Sequence, residues 1–417
     1  MSDIAIILFW TLMGLVLGQG VMVCGFVWAL WKWQRPLLSD AAAPKAAVIL
    51  CLRGGDPFLG DCVRGLLSQD YPDYEVHVVI DHQDDPAHAI LRQLVQQEHG
   101  ERVRIQFLQN ARETCSLKCS SVVQAASSLD ESVHFIAQLD ADTIPHTTWL
   151  RELATALSEE RVGAATGNRW YMPNHVSLGS AIRYVWNSAA VVQMYWYGIA
   201  WGGTLAVKTQ VLRETDLLEK WGHAFCEDTM LYAVLRRADW KVAFVPSLMM
   251  INREDCDVGG YYRWVRRQLL TARLYHPAWG AVLGHGVLTS IVPVLALAFL
   301  IAGLMHGNRE TAIWSFAGLA LYQTCLPLLI ALMEVSVRRI ASTRHEHTNW
   351  LSLTGAIKTI LALPATQCVY FIALLSACLL RWVNWRGVEY EVKGPWKIWL
   401  LKYQPYLSKQ SAPDESL

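Results

Sequence analysis

Long apolar stretches occur near both ends of this 417-residue chain. The first, residues 4–31, contains no charge and is long enough to cross the roughly 30 Å hydrocarbon core of a bilayer. It is too long for a signal-peptide core and has no convincing cleavage site, so we expect it to remain as an anchor. Further candidate spans lie within 281–381, at about 281–305, 312–333 and 359–380.

Residues 40–260 show a different pattern, in which strand and helix signals alternate. Short apolar runs that predict strands occur at 46–52, 74–80, 103–108, 133–137 and 163–166. Segments that predict helices fall between and after them, at 60–69, 87–99, 148–158 and 229–237. This alternation predicts an α/β fold class, a Rossmann-like domain with flanking transmembrane helices.

Composition agrees with a chain that lies partly in a membrane. Hydrophobic residues make up 53% and charged residues only 17%, with 19 tryptophans, less charge than a soluble enzyme of this length carries. The net charge is zero, and no basic tract with interleaved aromatics points to nucleic acid. The cysteines show no Cys-x-x-Cys pair and no zinc-ligand spacing, as expected in a reducing compartment.

Basic residues beside the spans predict the orientation. Lys32 and Arg35 follow the first span, so the positive-inside bias places residues 40–260 in the cytoplasm. The basic residues of the tail, 382–417, argue for the same side, although four crossings would place the tail outside. Lys358 at the edge of the last segment leaves a re-entrant or interfacial element as the alternative, so two or three C-terminal spans are possible.

Two separate acidic clusters carry the candidate chemistry. Asp140 and Asp142 follow a predicted buried strand, where the carboxyl ends of parallel strands meet in the ligand crevice. Paired carboxylates suit a divalent cation, Mg²⁺ or Mn²⁺, that also binds substrate phosphate oxygens. Glu227 and Asp228 can supply a general base for an acceptor hydroxyl. Each cluster alone is more often structural, but their joint occurrence in this order favours catalysis.

Two further positions are candidates for binding a nucleotide. Asp84 and Asp85 follow the second predicted strand, where a base or ribose can be recognised. Lys118 begins a predicted helix, whose N-terminus can add partial positive charge toward a diphosphate. The alternative for Lys118 is a solvated surface lysine.

These motifs, taken together, resemble the ceramide glucosyltransferases, membrane members of the inverting glycosyltransferase family 2 group. The nucleotide half of the match consists of Leu52-Arg53-Gly54-Gly55-Asp56-Pro57, Asp70-Tyr71-Pro72-Asp73-Tyr74-Glu75-Val76 and Asp84-Asp85-Pro86-Ala87. The match continues with Asp140-Ala141-Asp142, Trp201-Gly202-Gly203-Thr204 and Glu227-Asp228. It extends from the first span to about Pro277, and the later spans agree only in number and placement.

The resemblance implies a GT-A-type domain, a UDP-sugar donor, with UDP-glucose expected, and a role for each matched residue. Asp85 would contact the uracil or ribose, and Asp140 and Asp142 would hold the cation on the diphosphate. Asp228 would be the general base, with Glu227 as the alternative base.

A fourth family motif departs from its usual form, which is Gln or Arg, two residues, then Arg-Trp. The Arg-Trp pair falls on Arg267 and Gln268, and Trp264 stands where Gln or Arg is expected. Arg266 and Arg267 can still stabilise charge on a leaving diphosphate, but the motif's stacking tryptophan is missing. As an alternative, the arginine-rich segment 261–280 anchors an interfacial helix to anionic headgroups.

Residues 178–201 combine aromatic and apolar side chains with few polar ones. This pattern predicts an interfacial helix by which a lipid could reach Asp228, with a packed core helix as the alternative. Trp201, Trp264 and Glu227 are the acceptor-side candidates.

The predicted function is that of an integral membrane enzyme whose catalytic domain faces the cytoplasm. It would be an inverting glycosyltransferase that moves a hexose from a UDP-sugar to a hydroxyl of a membrane lipid such as ceramide, diacylglycerol or a hopanoid. The alternatives are a processive polysaccharide synthase that uses UDP-sugars and a non-catalytic membrane scaffold with the same fold. The sequence determines neither the sugar, the lipid nor the oligomeric state.

Overall fold

The computed structural model describes residues 1–32, 36–98, 100–346, 348 and 352–406. The predicted basic residue Arg35, the last residue of the predicted helix 87–99 and the tail beyond residue 406 lie outside the described residues. One seven-stranded sheet forms the centre of the domain. Its strands are β1 (Ala46–Leu52), β2 (Tyr74–Ile80), β3 (Val103–Phe107), β4 (Phe135–Leu139), β5 (Val162–Tyr171), β6 (Thr204–Lys208) and β7 (Lys241–Asn252).

The strand order is β3-β2-β1-β4-β6-β5-β7. Strands β1 to β4 are parallel, whereas β6 runs antiparallel to both β4 and β5. The carboxyl ends of β1, β2 and β4 therefore lie at one edge. The chain order reverses between β1 and β4, and such a switch point opens a crevice for ligands.

Nine helices with described bounds connect these strands or lie beside the sheet. They are α2 (Leu59–Leu67), α3 (Pro86–Gln97), α4 (Leu117–Ser127), α5 (Trp149–Leu157), α6 (Leu178–Tyr197), α7 (Thr209–Glu214), α8 (Leu217–Trp221), α9 (Leu231–Arg237) and α10 (Val258–Tyr275). In β1, Val48 packs into one hydrophobic core and Ile49 into the other. Burial on both faces explains why β1 is apolar without alternation.

The predicted bounds of β1 and β2 are confirmed. The bounds of β4 and β5 differ from the predicted ones. Strand β4 begins at Phe135, inside the predicted run 133–137, and ends immediately before Asp140. Strand β5 continues to Tyr171 instead of ending at 166, because its second half pairs with the last residues of β7. The interfacial prediction for 178–201 corresponds to α6, which packs against β5, α10 and other helices.

Within the described part of the chain, four helices are long and apolar enough to cross a membrane. They are α1 (Ser2–Lys32), α11 (Trp279–Met305), α12 (Arg309–Thr343) and α13 (Leu353–Leu379). Helix α1 packs along α12 and also contacts α11. Near its end, Trp31 donates to Ser336 Oγ of α12 at 2.9 Å.

Both ends of α13 contact the part of the chain that contains the central sheet. Near its start, Lys358 Nζ donates to the Val176 carbonyl at 3.1 Å. At its end, Arg273 of α10 donates to the Ala377 carbonyl at 2.7 Å. Between these points α13 packs along α6 and α10. Helix α13 also packs against α11, so it contacts both the helices beside the central sheet and the group of long apolar helices.

A small antiparallel sheet follows α13, formed by β8 (Trp382–Trp385), β9 (Val388–Gly394) and β10 (Lys397–Lys402). Strands β8 and β9 are joined at Arg386 and Gly387, which have φ angles of 48° and 75° and form a two-residue hairpin turn. This small sheet packs beside the central sheet domain, where the Tyr390 hydroxyl accepts from the Leu117 amide at 3.1 Å.

Candidate active site

A polar cavity of about 160 Å³ lies at the carboxyl ends of the parallel strands. Most of the residues predicted from sequence line it: Lys118, Asp140, Asp142, Trp201, Glu227, Asp228, Trp264 and Arg267. Asp85 and Arg266 are not among the described residues that line it. The structure therefore brings both acidic clusters and the arginine segment to one site.

Lys118 joins the two acidic clusters at the centre of this cavity. Its ammonium lies 2.5 Å from Asp140 Oδ1 and 2.7 Å from Glu227 Oε1. Burial alone would lower the pKa of Lys118, but the two carboxylates raise it well above its usual value. Burial opposes ionisation of Asp140 as well, yet the Lys118 charge lowers the net pKa of Asp140. Lys118 is thus a charged, paired side chain and not a solvated surface lysine.

Asp142 lies in a more acidic environment than Asp140. Burial, followed by the charges of Asp140, Glu254 and Asp56, raises the pKa of Asp142 to about 7. A bound cation would relieve this repulsion. Among the described residues no group of three or more His, Cys, Asp or Glu side chains forms a ready metal site. Two carboxylates nevertheless fit a cation that completes its coordination with phosphate oxygens and water.

Positive charge lies opposite these carboxylates on Arg169 and Arg267. The Arg169 guanidinium lies 5.1 Å from the Trp201 ring and 4.6 Å from the Trp264 ring. Burial and the Arg169 charge lower the pKa of Arg267 to about 10, against the attraction of Asp140. A cavity wall with two adjacent guanidinium groups favours an anionic ligand.

Asp228 is held by hydrogen bonds from two neighbouring segments. The Gly202 amide donates to Asp228 Oδ2 at 2.8 Å, and the Thr229 hydroxyl donates to Oδ1 at 2.8 Å. A side chain at Gly202 would collide with the Glu227 carboxylate, which explains the glycine. The carboxylate of Asp228 is oriented and half-buried, as a general base requires.

Glu227, the alternative base, faces inward. Its side chain is 2% exposed and is paired with Lys118, and its carbonyl accepts from Trp221 Nε1 at 2.8 Å. Burial raises the pKa of Glu227, with Lys118 acting in the opposite direction. These contacts favour a role for Glu227 in positioning Lys118, and Asp228 as the carboxylate that meets a substrate.

Asp85 lies next to the cavity and contacts backbone groups. It begins α3, where its carboxylate accepts from the Ala87 amide at 2.8 Å and from the Gly54 amide at 2.9 Å. The carboxylate that lines the cavity at the end of β2 is Asp81, which pairs with Arg53. Asp81 directly follows an apolar strand, a position that could have identified it.

Arg266 is half-buried on α10, where its guanidinium lies 5.5 Å from the Tyr262 ring. Arg267, the next residue along the helix, lines the cavity instead. Adjacent residues of a helix point about 100° apart, so only one of the two can face the cavity fully. Arg266 thus has an aromatic contact on another side of the helix.

The C-terminal sheet closes the cavity on the side of Arg53 and Asp81. The Trp385 ring lies 4.5 Å from the Arg267 guanidinium, and Arg386 donates to the Arg53 carbonyl at 2.7 Å. Tyr403 donates to Asp81 Oδ1 at 2.8 Å. Sequence reasoning treated this region as a tail, although apolar and charged residues alternate along β9, a strand signal.

A second, mainly apolar cavity of about 200 Å³ lies among α1, α6, α10, α11, α12 and α13. It meets the polar cavity at five shared lining residues: Arg169, Trp201, Asp228, Gln268 and Thr271. Asp228 therefore lines both a charged cavity and an apolar one enclosed by membrane-type helices.

A model of glycosyl transferase family 21 matches residues 9–398, from α1 into β10. The chain belongs to glycosyl transferase family 21. Its mixed α/β sheet is of the GT-A type, as expected, and the protein is a glycosyltransferase that uses nucleotide sugars. A search of curated protein sequences found no match.

Among solved structures, the family 21 chain is similar to the mannosyltransferase PcManGT from Pyrobaculum calidifontis in complex with GDP-Man and Mn²⁺. Identity is 14%, coverage is 89% of this chain and 99% of that chain, and the TM-score is 0.47. The chain is also similar to glucosyl-3-phosphoglycerate synthase from Mycobacterium tuberculosis, with 12% identity and a TM-score of 0.37. The match covers 57% of this chain and 84% of that chain. At these values the similarity carries no information on substrate.

Proposed function

We propose that this family 21 protein transfers a hexose, with UDP-glucose as the expected donor, to a hydroxyl group of a membrane lipid such as a ceramide. One observation carries the proposal: Asp228 lines both the polar cavity and the apolar cavity. A water-soluble sugar nucleotide and a lipid come from different phases, and a base at the junction can meet both. Holding the two reactants together supplies much of the rate enhancement.

The transfer would be a single displacement with inversion. The lipid hydroxyl oxygen forms a bond to the anomeric carbon while its proton passes to Asp228. The bond from that carbon to the phosphate oxygen breaks, and its electron pair leaves with the nucleoside diphosphate. Gly202 and Thr229 hold the Asp228 carboxylate in place during this step.

Charge on the departing diphosphate would be offset from two sides. Asp140 and Asp142 would hold Mg²⁺ or Mn²⁺, which when bound neutralises phosphate charge. Arg169 and Arg267 line the same cavity and would stabilise the leaving group from the opposite wall. The Lys118 ammonium, paired with the carboxylates of Asp140 and Glu227, adds positive charge to the same cavity.

The direct test uses the purified full chain in lipid nanodiscs with labelled UDP-glucose, Mn²⁺ and a panel of hydroxylated lipids. We expect a labelled glycolipid that carries one hexose, identified by mass spectrometry. A long polymer would favour the processive synthase instead. Absence of UDP release with every acceptor and every UDP-hexose would contradict the proposal and favour a scaffold.

The proposed orientation places the catalytic domain in the cytoplasm, where UDP-sugars are made. Cys115 and Cys256 are 0% and 8% exposed, so a labelling test needs new thiols at exposed positions. Glu160→Cys lies on the domain, and His306→Cys lies between α11 and α12. In intact cells an impermeant thiol reagent should label His306→Cys but not Glu160→Cys. The reverse pattern would overturn the orientation.

A further inference from the structure

A connected set of polar side chains lies inside the apolar cavity. Gln19 of α1, Gln193 of α6 and His285 of α11 all line it, together with Tyr322 of α12 and Gln367 of α13. Polar side chains in a membrane region are costly and commonly mark substrate pathways. Five different helices contribute to this set, which is therefore a product of the tertiary fold.

His285 bridges two of these side chains. Its Nε2 lies 3.2 Å from Gln19 Nε2, and its Nδ1 lies 2.8 Å from Gln193 Nε2. A neutral imidazole has one N–H donor and one acceptor, so it can accept from only one of the two amides. When Gln19 donates to the ring, the Gln193 amide must turn its oxygen to the ring N–H. This arrangement leaves a Gln193 N–H available to another partner.

Gln19 provides a second unused group. Its amide lies near the Tyr322 hydroxyl, and that hydroxyl is hydrogen-bonded to Gln367 Nε2 at 3.2 Å. Gln19 Oε1 is nevertheless buried and has no hydrogen bond of normal geometry among the described residues. A buried acceptor without a partner is unfavourable, and a ligand with an N–H or O–H group would satisfy it.

We infer that Gln19, His285 and Gln193 form a specificity site for a second polar group on the acceptor lipid. The ligand group both donates and accepts hydrogen bonds, as a secondary amide or a hydroxyl does. The lipid would thus carry this group in addition to the hydroxyl that reacts at Asp228. The inference rests on the proposed lipid acceptor and narrows its chemical class.

The test compares three acceptors in nanodiscs containing the full chain. Ceramide has an amide N–H and a secondary hydroxyl near its primary hydroxyl, 1-monoacylglycerol has only a secondary hydroxyl there, and 1,2-diacylglycerol has neither. The wild type should prefer ceramide, 1-monoacylglycerol or both over diacylglycerol by about tenfold or more in kcat/KM. Bound diacylglycerol would leave the buried polar groups of the site unpaired. A preference for ceramide alone indicates the amide as the ligand group, whereas a similar preference for ceramide and 1-monoacylglycerol indicates the hydroxyl that both carry.

Gln19→Leu, Gln193→Leu and His285→Phe should each reduce this preference to about twofold or less, mainly through the acceptor KM. Thr11→Val is the matched control on α1, because Thr11 is half-buried, is not among the described residues that line the cavity, and donates to the Ile7 carbonyl of its own helix. Calorimetric binding of UDP, which occupies the other cavity, checks that each variant is folded.

Two results would overturn the inference. One is a wild type without preference among the three acceptors. The other is a set of folded variants that lose activity equally on all three, which is expected if these side chains only stabilise helix packing. Both differ from failure of the proposed function, in which the wild type glycosylates no lipid.

Discussion

The two cavities that meet at Asp228 are built in different ways. One part of the polar cavity is formed by residues that directly follow strands of the central sheet, among them Asp81, Asp140 and Asp142, and backbone pairing sets their positions. The apolar cavity is formed by helices that are far apart in the chain and meet only through packing. Under the proposed function, donor binding would depend on local motifs and lipid choice on helix packing, so the two could change separately.

The largest expected effect is at the junction of the two cavities. Asp228→Asn keeps the size of the side chain but removes its ability to accept a proton. We expect turnover to fall by about 10²–10⁴-fold. UDP affinity should stay nearly unchanged, because Arg169, Arg267 and Asp142 remain in the polar cavity. Steady-state kinetics and calorimetry on the purified variant provide the measurements.

Glu227→Gln is the matched comparison for this experiment. It removes the charge paired with Lys118 and should weaken UDP binding by disturbing Lys118, an effect that Asp228→Asn does not share. Near-normal turnover in Asp228→Asn together with an inactive Glu227→Gln would reverse the assignment of the base.

The next largest effect is expected for the dependence of UDP binding on a divalent cation. Asp142→Asn should reduce the gain in UDP affinity on adding Mn²⁺ or Mg²⁺ by at least about tenfold, because a cation ligand is lost. Loss of the repulsion from Asp140 and Glu254 should leave the fold intact. Calorimetry with and without the cation measures the effect, and an unchanged cation dependence in the variant would contradict the metal assignment.

A smaller effect is expected where the C-terminal sheet contacts the donor side. Trp385→Ala removes the ring beside Arg267 and should raise the donor KM about 2- to 30-fold, the range for a partly desolvated cation–π contact. Trp385→Phe should restore most of the loss. Trp382→Ala is the control, because Trp382 is on the same strand and is 63% exposed. Equal effects of the two alanine variants would indicate only a structural role for the sheet.

The difference between the two cavities also explains why residues of the polar cavity were easier to predict from sequence than those of the apolar cavity. Asp140 and Asp228 could be located because carboxylates after an apolar run, or at a helix start, carry local signals. Arg169 is a polar residue inside a longer strand than the pattern indicated, and its neighbours come from distant segments. Gln19 and His285 are single polar residues in separate apolar helices, and only packing shows that they meet.

The smallest effect concerns Asp85 and separates two roles at the donor side. The family resemblance implies a contact with the uracil or ribose, whereas the structure shows hydrogen bonds to the Gly54 and Ala87 amides. Asp85→Ala should lower the free energy of unfolding by about 1–3 kcal/mol, because a helix cap is lost and a buried amide is left unpaired. Asp85→Asn keeps an oxygen acceptor, so UDP affinity should stay within about twofold if Asp85 acts through the backbone. Asp81→Asn, which changes the carboxylate that lines the cavity, should weaken UDP binding more. A larger loss of UDP affinity in Asp85→Asn than in Asp81→Asn, with unchanged thermal stability, would support direct contact of Asp85 with the nucleotide.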